Sequence, residues 1–446
     1  MNRLLRKLRV VFWFSQEFFK RHFSFLFEGF FVGILLFFFL LRVYPFLQAR
    51  LSLNKKVVGL VGVYTPATLP YSLQELLSVG LTKIGPNGEA KPALASSWEV
   101  KEEGKVYLFH LRDNIFWHDG RQFTASDVNY NFKEVKIEPI DSLTLKITLA
   151  EPFSPLPVLL SRPLFKKGLV GLGPYKITSL KLNADKVEEI ELVPVIKETG
   201  VVLDFRFYPT EQSLLVAFKL GEINAIDELL TVEQFSSWKS LKVEEKVLAD
   251  RYLIIFLNNS DKYLKERTVR QALAFALPPF SEIQALGPIS PNSWAYNKNV
   301  KVYNQDLPAA KKLLEKANLK DGFEINLSTF PNFLNLAQDI ANSWQQIGIK
   351  TNIQVVSAVP GDFQALLTAQ EVPADPDQYL LWHSTQTGTN LAHYANPKID
   401  KLLEDGRQTI EEVKRTKIYQ DFQKYLVEDY PALFLYHPKV YSISRR

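Results

Sequence analysis

From Phe23 to Leu41 the chain runs almost wholly apolar, through FFVGILLFFFLL at 30–41, with Ser24 and Glu28 as its polar interruptions. At helical rise such a run matches the hydrocarbon thickness of a bilayer, roughly 30 Å. Arg3, Arg6, Lys7, Arg9, Lys20 and Arg21 precede it against Glu17 alone, and Arg42 follows it. Basic residues stay on the cytoplasmic side, so this asymmetry predicts a cytoplasmic N-terminus. The run is longer than a secretory signal core and no small-x-small cleavage site follows it closely, which favours a retained anchor. The expectation is a basic cytoplasmic segment over 1–22, a single-pass transmembrane anchor over 23–47 and a linker over 48–56. Everything after that belongs outside the cell membrane. The preceding RLLRKLRVVFWF is either a basic amphipathic helix on the inner membrane surface or a solvated flank.

The remainder is long enough for more than one domain: 446 residues, 46% hydrophobic, bury a large core. With no cysteine, disulfides, thiolate metal sites, cysteine nucleophiles and a lipid-modified N-terminal cysteine are all excluded. A net charge of +5 with no basic stripe argues against nucleic acid as a partner.

Strand and helix periodicities alternate along the chain. SLTLKITL (142–149) places Leu143, Leu145, Ile147 and Leu149 on one face, the pattern of a half-buried strand, and KVYLFHLR (105–112) is a second strand. FEINLST (323–329), LNLAQDIANSWQQIG (334–348) and IKTNIQVV (349–356) read as strand, helix and strand, with Gly348 closing the helix. A further helix is expected over about 399–428, broken near Gly406, and ALFLYHPKVYSI closes the chain as strand.

FHLRDNIFWHDGRQFTASDV (109–128) concentrates His110, His118, Asp119 and Asp127 in a short stretch, as a catalytic or metal site would. Its order of residues fits scaffold better. Asp119–Gly120 is a hairpin turn signal, and Thr124 with Asp127 is a capping box opening a helix. The phosphate-loop, nucleophile-elbow, zinc-helix and calcium-loop motifs are absent, and the six histidines are scattered. No enzyme activity, cofactor or metal is expected.

Taken in order, several blocks resemble the family 5 extracellular solute-binding proteins that serve peptide and nickel ABC importers. GLTKIGPNGEAKPALASSWEVKEEGKVYLFHLRDNIFWHDGRQFTASDV (80–128) carries the resemblance most clearly. GLGPYKI (171–177), LLVAFKLGEINAID (214–227), RYLIIFLNNS with RTVRQALAFAL (251–277), PISPNSWAYN (288–297), DPDQYLLWHS (375–384), NLAHYANPKIDKLLE (390–404) and DYPALFLYHP (429–438) continue it. The resemblance implies an α/β fold of two lobes, like the type II periplasmic binding proteins, with an extra subdomain in lobe one. Mapped here, lobe one is 57–255 with the subdomain at 81–160. Lobe two is 256–425, and 426–446 returns to lobe one as a strand.

The same resemblance implies a ligand trapped between closing lobes. In the family's peptide binders an aspartate three residues before the D-P-D-like motif holds the ligand's amino group. Here that position is Val372, with Glu371 as the neighbouring candidate. Trp382, His383, Asn390 and Tyr394 gather in LWHSTQTGTNLAHY, near the cleft in the family arrangement, although Trp382 and Tyr394 equally suit a lobe core. Trp294 sits in the PISPNSWAY loop, which approaches the cleft. Tyr64, Thr65 and Pro66 occupy the stretch whose backbone pairs with an extended peptide. His383 and His393 have no recognised metal spacing. The expected protein is a membrane-anchored, extracytoplasmic solute receptor for an oligopeptide-like ligand, partnered by an ABC permease and ATPase. The alternative is a surface sensor or structural interaction protein that keeps the fold without transport.

Overall fold

A computed structural model of the chain describes residues 13, 21, 31–39, 55–196 and 201–445. The expected anchor over 23–47 lies outside these residues except for 31–39, which are helical and carry exposed Phe31, Leu35, Phe37 and Phe39. Among the described residues no helix is long and apolar enough to cross a membrane. By their contacts residues 57–196 with 204–445 belong to the larger of two compact units, which carries the fold below.

Three hydrophobic cores organise that larger unit. The first lies on a seven-stranded sheet in the order Leu241–Val247, Lys439–Arg445, Ala225–Leu229, Lys55–Val61, Val202–Tyr208, Lys186–Pro194 and Tyr175–Asn183. Helix Glu211–Leu220 covers it. Thr210 and Ser213 exchange side-chain and backbone hydrogen bonds at its start, and Gly221, at a left-handed φ of 83°, ends it. Leu214, Ala217 and Phe218 turn inward to Ile226 and Ile443, and Phe218 meets Phe235 edge-on at 5.3 Å. Each fully buried side chain of this kind contributes roughly 1.5–3 kcal/mol.

The second core belongs to the subdomain, an antiparallel sheet ordered Ala95–Lys101, Val106–Leu111, Thr144–Leu149 and Val135–Pro139. The strand alternation puts Tyr107, Phe109 and Leu111 inside with Leu145 and Ile147. The stretch 109–128 is scaffold. Trp117 and Phe123 enter the core, and the Gly120 N–H closes a turn onto the Trp117 carbonyl at 2.8 Å, with Gly120 at φ 83°. The Thr124–Asp127 capping box forms, but it opens only the 3-10 turn Ala125–Asp127. The expected helix does not continue, and the Tyr130 hydroxyl instead donates to the carbonyls of Leu160 and Arg162.

The third core lies on a five-stranded sheet ordered Lys350–Val355, Glu324–Thr329, Ala365–Glu371, Arg251–Leu257 and Ala432–Phe434. The expected β-α-β unit is present: Glu324–Thr329 and Lys350–Val355 pair in parallel across helix Leu334–Gln345. Trp344 of that helix is fully buried, and its indole N–H donates to the Leu273 carbonyl at 3.0 Å. The long C-terminal helix is two, Pro397–Gln408 and Glu412–Asp429. The break falls three residues past Gly406, which lies in the last turn of the first helix with the Tyr419 ring packed where its Cβ would be.

The chain passes between the seven- and five-stranded sheets at 248–250 and again at 435–438. These crossings are tied together, since Leu248 N–H donates to Pro438 O at 3.0 Å and the His437 ring Nδ1 donates to Arg251 O at 2.8 Å. Burial pushes the His437 imidazole below its usual 6.5, partly opposed by the Arg251 and Leu248 carbonyls. A depressed histidine favours protonation of the unfolded chain, so its stabilising effect is complete above pH 6.5 and is lost as pH falls below it. His437→Gln is therefore expected to flatten the decline in melting temperature between pH 7.5 and 5.5. An unchanged slope would place the responsible group elsewhere.

Candidate functional site

Strand Ala365–Glu371 is paired unequally on its two sides. Arg251–Leu257 runs antiparallel along its whole length, from Arg251 opposite Glu371 to Leu257 opposite Ala365. On the other side Glu324–Thr329 reaches only Ala365, Leu366 and Leu367 before the chain turns away at Pro331. Among the described residues no strand follows that edge from Thr368 to Glu371.

The direction of its backbone groups follows from antiparallel alternation. The Val372 N–H donates to Asp250 O and Asn258 N–H donates to Gln364 O, both at 2.8 Å, so even-numbered residues face the Arg251 strand. Ala369 and Glu371 then direct their N–H and C=O groups to the open edge. Two side chains cover the carbonyls: Gln370 Nε2 donates to Glu371 O at 2.8 Å, and Thr368 Oγ1 to Ala369 O at 3.4 Å. Such an edge accepts an added strand.

The segment after this strand, QEVPADPDQYLLWHS, is held by two ion pairs. Asp375 receives Arg415 Nη1 at 2.8 Å and Nη2 at 2.5 Å. Asp377 receives Arg407 Nε at 2.9 Å. Burial raises the Asp377 carboxyl above its ordinary value, and Arg407 opposes that rise. Asp375 and Asp377 also accept the N–H groups of Asp377 and Tyr379, so the D-P-D turn is fixed from both sides.

The expected site residues fall into two groups. Trp382 is fully buried against Phe256 and Phe434, with ring centroids at 6.0 Å from each, inside the third core. Tyr394 is also buried there and donates its hydroxyl to Asp429 at 2.6 Å. Asn390 is buried and clamps the loop by donating to Tyr394 O at 2.8 Å and His383 O at 3.3 Å. His383 is buried, stacked on Tyr379 at 4.0 Å, with Thr385 at Nδ1 and Glu404 at Nε2. His393 is exposed at φ 49°. Among the described residues no set of three or more histidine and acidic side chains is placed to hold a metal.

The second group is accessible. Glu371 is 81% exposed and pairs with Arg251 at 3.2 Å, while Val372 turns into the third core. Trp294 is half-buried over Arg415, 5.4 Å from ring to guanidinium. Tyr64, Thr65 and Pro66 are half-buried, but Tyr64 O accepts from Val187 N–H at 2.8 Å and Thr65 N–H donates to Thr68 Oγ1 at 2.9 Å. Thr368, Ala369 and Gln370 were not legible as site residues, and Arg251 stood out only as the first residue of the RYLIIFLNNS block. A separate cavity of about 600 Å³ lies beside helix Leu334–Gln345, lined by Phe280, Glu282, Asp339, Asn342 and Tyr436 among others. It contains none of these residues and offers no unpaired strand.

Comparison with known proteins adds relatives to this geometry. The family model described as bacterial extracellular solute-binding proteins, family 5 middle, matches residues 89–390. The dipeptide-binding protein of Escherichia coli is 23% identical over 82% of this chain and 84% of its own length. The oligopeptide-binding protein AppA of Bacillus subtilis is 26% identical, covering 86% of each. Among solved structures, NikZ from Campylobacter jejuni in complex with Ni(L-His) superposes with a TM-score of 0.74 at 24% identity, over 88% of this chain and 94% of that one.

Proposed function

The chain belongs to the family 5 bacterial extracellular solute-binding proteins, a non-catalytic family of ABC-importer receptors, and we propose that its solute is an extended, peptide-like molecule captured between two closing lobes. The observation that carries this reading is the open strand edge at 368–371, whose outward N–H groups at Ala369 and Glu371, with their carbonyls, suit pairing with a peptide backbone. Glu371 and Trp294 serve as accessible contacts beside it, and Tyr64, Thr65 and Pro66 contribute from the first lobe. His383, Asn390, Trp382 and Tyr394 act behind them by fixing the loop and core on which the edge rests. Closure requires contacts to the ligand from both lobes, because only differential binding shifts the open–closed balance. An ABC permease and its ATPase receive the captured solute.

Val372 favours a second reading. With an apolar side chain turned into the core where peptide binders carry the amine-holding aspartate, recognition of a free peptide N-terminus has no anchor at that position. A receptor that kept the fold as a surface sensor would tolerate that loss. Native mass spectrometry of residues 51–446 separates the two: a co-purifying ladder of mixed peptides is expected for the transport receptor. Protein that is always empty, and that does not close with peptide libraries, would count against it.

Residues 23–47 serve as a membrane anchor in this reading, with the N-terminus cytoplasmic, supported by the apolar run and the basic flank. Tethering keeps the receptor at high effective concentration near its permease. The full chain is expected to stay in the membrane fraction through high-salt and alkaline washes, and residues 51–446 to be released. Release of the full chain by either wash would remove the anchor.

A further inference from the structure

The turn at Pro86-Asn87-Gly88, within the 80–128 block, and the D-P-D segment at 375–377 are not used by the open strand edge. In the structure they meet. The turn after strand Thr82–Ile84 is tight, with Gly88 at φ 84° and its N–H donating to Gly85 O at 3.0 Å. Its tip rests on the five-stranded-sheet lobe. Trp294 N–H donates to Asn87 O at 3.0 Å, and a Cβ at Gly88 would collide with the Ala374 carbonyl, one residue before Asp375.

A second point of the subdomain docks nearby. Ser154 N–H donates to Arg407 O at 2.8 Å and Ser154 Oγ to Gly406 O at 3.1 Å. The Arg407 guanidinium also lies over the Phe153 ring at 5.3 Å. Gly406 O simultaneously accepts Arg415 Nε at 2.8 Å. The two ion pairs therefore shape both docking points: Asp375–Arg415 fixes Ala374 and Gly406, and Asp377–Arg407 fixes the strip that Ser154 meets.

This contact differs from the subdomain's attachment to the first lobe. That attachment is covalent at both ends and is reinforced where His118 donates its N–H to Gly171 O at 3.0 Å and its ring Nε2 to Gly173 O at 2.9 Å. Toward the other lobe the subdomain shares no apolar core, since the two cores are separate clusters. Small polar contacts of this kind make and break without unfolding either side, unlike an interdigitated core.

We propose that the subdomain is a clasp: the Gly85–Gly88 turn and Phe153–Ser154 seat on the dock formed by the D-P-D segment and residues 406–407, and this seating completes closure around the solute. The chain crossings at 248–250 and 435–438 join the lobes at one end, and the clasp joins them at another. The inference rests on the reading of the protein as a closing receptor, but the clasp itself is testable without a ligand.

Because the chain has no cysteine, Lys101→Cys with Val413→Cys gives a single unambiguous pair of spin labels on exposed positions either side of the contact. In the full-length chain in detergent, the ligand-free protein is expected to show a short and a long distance, and a tryptic peptide mixture to shift it to the short one. Gly88→Val is expected to deplete the short distance about tenfold, and the milder Ser154→Ala about threefold, with both variants retaining their melting transition. One unchanging distance that peptides and both substitutions leave in place would overturn the clasp. If peptides do not bind, the receptor reading fails separately, and the ligand-free comparison of Gly88→Val with the parent still decides the clasp.

Discussion

Arg415→Ala is expected to cost the protein about 3–5 kcal/mol of folding stability, read as a lowered denaturant midpoint. The side chains of Asp375 and Arg415 are 7% and 6% exposed and joined by two hydrogen bonds. Truncating the arginine leaves a carboxylate without a counter-ion away from water, and that penalty exceeds the net value of the pair. Gly406 O also loses a donor, so the dock for Ser154 loosens and the short spin-label distance becomes rarer. The double variant Asp375→Asn with Arg415→Met removes both charges and is expected to recover part of the loss. A single-variant cost below about 1 kcal/mol would mean that water reaches the pair and that it is an ordinary surface bridge.

Ala369→Pro is expected to weaken binding of a peptide mixture by at least about tenfold while leaving the melting temperature within a few degrees of the parent. Proline removes the Ala369 N–H and places a ring against the open edge, so an added strand loses a donor and meets a steric block. The pairing with Arg251–Leu257 survives, because it uses the even-numbered residues. Gln370→Pro makes the opposite change: it removes an N–H that faces Tyr252 and is expected to destabilise the sheet. Titration calorimetry and thermal melts on the two variants separate these effects. Equal peptide affinity in Ala369→Pro and the parent would move the ligand away from this edge.

Much of the fold was legible because its signals are local. The apolar face of 334–345 recurs at helical spacing, and the flanking strands alternate, so the β-α-β unit needs only neighbouring residues to be recognised. The Asp119–Gly120 turn and the Thr124–Asp127 box are likewise settled within a few residues. Where local signals misled, a distant partner was responsible. The box at Thr124 opens a single turn: Val128 is already extended, and Tyr130 beyond it bonds to the distant carbonyls of Leu160 and Arg162. The break expected near Gly406 falls after Gln408, and Gly406 itself is kept free of a side chain by the Tyr419 ring.

The candidate site was less legible than the fold. Aromatic and amide side chains in LWHSTQTGTNLAHY read equally as cleft wall or core, and burial of Trp382 and Tyr394 puts those two in the core. The open edge carries no compositional signal: Thr368 to Glu371 is an ordinary strand end, left unpaired because its neighbour stops opposite Leu367.

Taken alone, the sequence determined the chain's class, its lack of disulfides and catalytic motifs, the β-α-β unit over 323–356 with several further strands, and its apolar N-terminal run, because periodicity, charge and residue chemistry are properties of neighbouring positions. Tertiary structure alone decided which strand edge stays unpaired, which aromatics are buried and which turn docks on the D-P-D segment. Each of these depends on two stretches far apart in the chain arriving at one place, as Asp375 and Arg415 do across 40 residues, and no local pattern encodes that meeting.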